Sequence, residues 1–134
     1  MNSASRPKAI IVGHGDFGIG MISAVEQITG MGDLFVPLSN TGLSAADVLA
    51  RLRELVDEHH AEVIFTDLPG GSCNLAAAKI AGVATTVTVV TGVSLPVLLH
   101  YALHGNVTPR QAAEDAVARA IPALKVVARS PRGD

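Results

Sequence analysis

Residues Ala9 to Gly20 read AIIVGHGDFGIG, a short apolar run that breaks at Gly13 and carries His14 into a glycine-rich turn. A brief apolar run closed by a turn signal fits a buried strand. Ile19, Met21, Ile22, Val25 and Ile28 then recur at helical spacing, until the GMG around Met31 stops them. The pattern delivers a histidine to the carboxyl end of a first strand, the end at which open α/β sheets bind ligands. Taken alone, the stretch has a plainer reading: Gly13 and Gly15 permit a tight strand-to-helix turn, and His14 is a partly buried imidazole satisfied by a backbone carbonyl.

The rest of the chain repeats the alternation. Leu34 to Leu38, LFVPL, is the next candidate strand, and Pro37, which cannot donate a ladder hydrogen bond, assigns it to an edge. Ser44 reads as an N-cap, with Asp47 completing a weak capping box. The helix it opens reaches about His59 and buries Val48, Leu49, Leu52, Leu55 and Val56. A third strand, Ala61 to Asp67 (AEVIFTD), runs into LPGGSCN and an alanine-rich helix over about Ser72 to Ala81. Thr86 to Thr91 is a fourth strand by its β-branched residues. Ser94 and Pro96 open a helix through about His104. Thr108 with Pro109 opens a last one, through about Ala120 or Leu124. Lys125 to Ala128, KVVA, adds a candidate final strand, parallel or antiparallel at an edge. The expectation is a doubly wound, mostly parallel α/β sheet of four to five strands with helices on both faces. It forms one domain, residues 1–134, with loose ends at Met1 to Lys8 and at RSPRGD.

Composition narrows the function classes. At 134 residues and 49% apolar, the chain can bury a single core without staples. Only 3% of residues are aromatic, so little is available to stack on a base, and a formal charge of -2 without a basic run argues against nucleic acid. One cysteine excludes an internal disulfide and suits a reducing compartment. The four apolar residues before Gly13 are too few for a secretory signal. Gly92, Ser94 and Pro96 interrupt the apolar region Val83 to Leu103, a poor membrane span. A soluble cytoplasmic protein is expected. His59 and His60 sit where a cation favours a helix C-terminus. His100 and His104 share a helical face, but neither pair has a third ligand nearby, so no metal and no cofactor is expected.

In a doubly wound sheet the first and third strands are commonly neighbours, about 5 Å apart. Their carboxyl ends carry His14 and Asp67. A carboxylate that accepts one imidazole N–H fixes the tautomer and leaves the other nitrogen as nucleophile or proton acceptor. Gly70 and Gly71 let backbone N–H groups converge, and Ser72 with the helix start adds donors and the positive end of a dipole, a cradle for an oxyanion or phosphate. The dipole contributes only about 1 kcal/mol, so the hydrogen bonds matter more. GGS by itself also fits an ordinary capped helix. With no P-loop lysine and no carboxylate cluster for magnesium, this set suits a phosphoryl group received from and passed to another protein better than nucleotide hydrolysis. A receiver-like module phosphorylated on Asp67 would need an acidic pair after the first strand, where only Asp16 is close. A non-catalytic flavodoxin-like binding domain also fits the alternation.

The runs IIVGHGDFGIG, VIFTDLPGGSCNLAA and VTGVSLPVLL resemble, in order and at matching spacing, the enzyme IIA component of the mannose/fructose/sorbose family of the bacterial phosphoenolpyruvate-dependent sugar phosphotransferase system. The resemblance implies a phosphotransferase component with a phosphohistidine intermediate at His14, loaded by the carrier HPr and unloaded by an enzyme IIB. Asp67 would hold the Nδ1 side of His14, leaving Nε2 for the phosphoryl group, and Ser72 would line the phosphate pocket. It further implies a homodimer, an antiparallel edge strand, and contact with the membrane only through the sugar permease. The phosphocarrier module serving dihydroxyacetone kinase is the related alternative. Two departures stand out: Cys73 follows GGS where proline is frequent, and Asn74 falls one place early. Cys73 has two readings, a thiol with its pKa lowered by the helix start or a small packed residue.

Overall fold

The computed structural model describes residues 6–129. Its central strand is β1 (Ala9–Gly13), buried at every position. Ala9 and Ile11 join one apolar cluster while Ile10 and Val12 join another, the period of two that a strand imposes. Burial on both sides is the physical cause of the uninterrupted apolar run. β2 (Phe35–Ser39), β3 (Val63–Thr66) and β4 (Thr88–Val90) complete a four-stranded sheet in the order β2-β1-β3-β4, parallel throughout. Pro37 lies on the outer strand β2, opposite Ile11, where its missing N–H costs the ladder nothing.

The helices are α1 (Phe17–Thr29), α2 (Ala45–His59), α3 (Gly71–Val83), α4 (Leu95–Leu103) and α5 (Pro109–Ala120). α1, α4 and α5 cover the face that carries Ile11 and Phe65, whereas α2 and α3 cover the face of Val12 and Ile64. Two predicted caps form: the Ser44 hydroxyl accepts the Asp47 N–H at 3.1 Å and the Thr108 hydroxyl that of Gln111 at 3.2 Å. α1 starts at Phe17, before the expected Ile19, because Phe17 turns inward against the first cluster. The connections β1–α1–β2 and β2–α2–β3 lie on opposite faces, so a crevice opens at the carboxyl end of β1.

Few aromatics are present, and three of them are spent in one place. Phe65 meets Tyr101 edge-on at 5.1 Å between ring centres and Phe35 at 6.0 Å. Arg6, inside the segment expected to be loose, is tied down. Its guanidinium donates to the carbonyls of Tyr101 and Ala102 at 2.9 Å each and lies 4.9 Å over the Tyr101 ring, so it also caps the C-terminal end of α4. Residues 1–5 and 130–134 lie outside the described residues.

The expected final strand over Lys125 to Ala128 is corrected. After a 3-10 turn at Ile121–Ala123, residues 124–129 pair with no strand among the described residues, and Leu124, Val126 and Val127 stand 85–93% exposed. A β-branched pair favours extended backbone but makes no ladder without an edge to meet. No helix among the described residues is long and apolar enough to cross a membrane.

Phe65→Ala removes the centre of the aromatic cluster from a fully buried position. It is expected to lower stability by about 3–5 kcal/mol, read as a shift of the urea midpoint at unchanged slope.

Candidate active site

β1 and β3 pair with Val12 opposite Thr66, so the residues after each strand leave the sheet side by side. The His14 backbone N–H donates to Asp67 Oδ2 at 2.9 Å, and His14 Nδ1 lies 2.8 Å from the same oxygen. The Asp67 side chain is 10% exposed and that of His14 48%. The carboxylate therefore sits beneath the ring, and the ring faces outward. Opposite an ionised carboxylate, Nδ1 carries the proton and Nε2 keeps its lone pair. Burial pushes the Asp67 pKa up, but the His14 backbone N–H, the ring hydrogen bond and the ring's charge together outweigh it and hold the group below its ordinary 3.8. The second carboxylate oxygen, Oδ1, is buried without a hydrogen-bond partner.

The two glycines flanking His14 act differently. Gly15 has φ 53° and supplies the turn, whereas Gly13 is not left-handed. A Cβ on Gly13 would stand 3.0 Å from both Asp67 Oδ2 and Phe17 Cδ2, so Gly13 is there for close approach of the carboxylate.

Gly70 is the N-cap of α3, and no side chain occupies the capping site. Gly71 takes φ 88°, and a Cβ there would stand 3.9 Å from His14 Cε1. The first turn of α3, with Ser72 half-buried in it, thus abuts the ring edge between the two nitrogens. Its leading N–H groups have no intrahelical partners. The predicted set His14, Asp67, Gly70, Gly71 and Ser72 is brought to one end of the sheet.

Thr66 was not singled out in the sequence, and Asn74 only for falling one place early. Among the described residues Thr66 is the buried polar one, with Oγ1 3.2 Å from both Leu68 O and Asn74 Oδ1, while Asn74 Nδ2 donates to Pro69 O at 3.0 Å. They pin the loop between β3 and α3 from inside. The available signal was a threonine ending an apolar strand and an asparagine one turn into the helix.

Cys73 is fully buried, and desolvation, with the charge of Asp67 adding to it, pushes the thiol pKa up. The reading with a lowered pKa is corrected: burial overrides the helix start. Among the described residues one group of three could hold a metal: His14, Asp67 and Cys73, with ligand atoms within 4.8 Å of one another. His104 Nε2 lies 2.8 Å from Asp115 Oδ2, an acidic neighbour that the sequence spacing did not reveal. His60 takes left-handed backbone and closes α2.

Compared with known proteins, residues 8–120 match the EIIA-man family, described as the PTS system fructose IIA component. No curated protein sequence matches the chain. The phosphotransferase system component EIIA from Streptococcus agalactiae is similar in structure, with TM-score 0.80 and 24% identity over 89% of this chain and 95% of that one. The mannose/sorbose specific IIA subunit from Enterococcus faecalis has TM-score 0.79 and 19% identity over 92% and 96%. A sigma-54 interaction domain protein from Enterococcus faecalis has TM-score 0.67 and 14% identity over 91% and 96%. At these identities the likenesses establish the shared fold.

The lowered Asp67 pKa sets a pH window. Because the unfolded chain takes up this proton first, the contribution is complete above about pH 5. It is lost as pH falls through 3.8 toward the lower folded value. Urea unfolding at stepped pH is expected to lose stability less steeply below about pH 5 in Asp67→Asn than in the parent.

Proposed function

The chain belongs to the EIIA-man family of phosphotransferase-system IIA components, and from that premise we propose that it accepts a phosphoryl group from phospho-HPr on His14 and passes it to an enzyme IIB. Membership supports a phosphocarrier role in a sugar phosphotransferase system. The observation that carries the assignment to His14 is the Nδ1 to Asp67 Oδ2 contact of 2.8 Å on a ring that is 48% exposed.

In the transfer, the Nε2 lone pair attacks phosphorus in line with the P–N bond to the donor histidine. That bond breaks as the Nε2–P bond forms, and the proton on Nδ1 stays in place. The ring becomes positive as it loses its lone pair, and the Asp67 carboxylate beneath it stabilises that charge. The leading N–H groups of α3 at Gly71 and Ser72 receive the phosphoryl oxygens, whose charge the helix terminus favours. Loose phosphoryl transfer asks for alignment and charge compensation. A ring held from below supplies alignment, and the reverse step to the acceptor uses the same geometry. Residues 1–134 act as one IIA domain. A homodimer, as the sequence resemblance implies, would give the exposed Leu124, Val126 and Val127 a surface to be buried against.

Incubation with phosphoenolpyruvate, enzyme I and HPr is expected to label the protein on an acid-labile, alkali-stable group. His14→Ala abolishes the label. Asp67→Ala slows its appearance by roughly 10–100-fold, the scale of losing a partner that orients a histidine, without moving it. Label persisting in His14→Ala would overturn the assignment. Adding enzyme IIB and dihydroxyacetone kinase as alternative acceptors identifies the downstream partner.

A further inference from the structure

His14, Asp67 and Cys73 reach one point from three separate elements: the turn after β1, the loop after β3 and the first turn of α3. Their ligand atoms lie within 4.8 Å of one another. The ring and the carboxylate explain each other as a hydrogen-bonded pair, but two features are left over. Asp67 Oδ1 is buried with no partner, on a side chain nine-tenths covered. Cys73 brings a sulfur, wholly buried, to the same place. A buried carboxylate oxygen without a donor carries an uncompensated desolvation cost, and a cation would remove it.

We infer that His14, Asp67 and Cys73 form a site for a thiophilic divalent cation of the zinc class, and that filling it switches the histidine off as a nucleophile. One imidazole, one carboxylate and one thiolate are ordinary zinc ligands, with three protein donors leaving a fourth position open to solvent, here on the exposed side of His14. The sulfur selects against magnesium and calcium. Around such an ion the donors stand about 3–4 Å apart, which the half-exposed ring can reach by a small rotation. Charge balances: thiolate and carboxylate together neutralise the dication. On binding, the Cys73 thiol releases one proton. Nδ1 gives its lone pair to the metal, and the ring proton relocates to Nε2. The nitrogen that attacks phosphorus then has no lone pair to offer.

Metal binding stands independently of the phosphocarrier reading, whereas inhibition rests on it, and the experiment separates the two. Metal-free protein is titrated with Co2+ alone. A thiolate-to-cobalt charge-transfer band in the near ultraviolet, saturating at one equivalent and reversed by Zn2+, is expected. Cys73→Ala and Cys73→Ser both lose the band, and Asp67→Asn weakens Co2+ binding by at least the roughly 10–100-fold that even an outer partner is worth. In a second arm, purified phospho-HPr labels the parent and Cys73→Ala with and without Zn2+. Zinc is expected to slow labelling of the parent, and the half-inhibiting concentration to rise by about 10–100-fold or more in Cys73→Ala. Absence of the band in the parent, or equal zinc sensitivity of the parent and Cys73→Ala, overturns the site. A metal-free parent that phospho-HPr cannot label refutes the phosphocarrier reading, while the cobalt band still decides the metal site.

Discussion

One carboxylate oxygen, Asp67 Oδ2, takes two hydrogen bonds from a single residue, the backbone N–H of His14 at 2.9 Å and its ring nitrogen at 2.8 Å. The first locks where β1 ends, and the second locks which way the imidazole faces. Both require two strand ends, 53 residues apart in sequence, to leave the sheet at the same level. The parallel pairing of Val12 with Thr66 meets that requirement. Parallel pairing in turn needs crossover connections, which α1 and α2 supply on opposite faces of the sheet.

Covering both faces has a cost in composition. With strands buried on both sides, the sheet is built from Ile, Val and Phe, and the helices that lie on it use small residues: Ala76 and Ala77 on α3, Ala112, Ala113 and Ala116 on α5. Small residues bring helices close to the sheet without large side chains to interdigitate, which is why the few aromatics gather at Phe35, Phe65 and Tyr101. Arg6 extends that cluster outward and ties the chain before β1 to α4. Opposite this rigid body, the loop from Asp67 to Gly70 is held from within by Thr66 and Asn74. The first turn of α3 is therefore held beside the ring. A site held in this way needs no assembly at the moment of an encounter.

The same closeness explains the placement of Gly13 and Cys73. A side chain at Gly13 would press on Asp67 and Phe17, so the strand must end in a glycine for the carboxylate to reach the backbone N–H. Cys73 lies under the first turn of α3, where a small residue packs. Its thiol is insulated from the helix terminus by desolvation and by the charge of Asp67, which acts in the direction opposite to the terminus.

Much of this was legible in the linear chain. Periodicity identifies elements wherever one face, or both, must be buried, and AIIVG, LFVPL and VIFT do so for three strands. Ser44 and Thr108 mark helix starts because their hydroxyls satisfy N–H groups that the helix itself leaves open. The neighbouring of His14 and Asp67 followed from a general rule of strand order. Composition and local pattern therefore determined the α/β class, the edge position of the Pro37 strand and the candidate nucleophile with its partner. Tertiary structure alone decided the rest. It gave Gly13 a steric role in place of a turn, enlisted Thr66 and Asn74 to hold the loop, drove the Cys73 pKa up and left KVVA without a strand to pair with. Each of these depends on atoms from elsewhere in the chain, and a local pattern records a residue's own preferences but not what stands across from it.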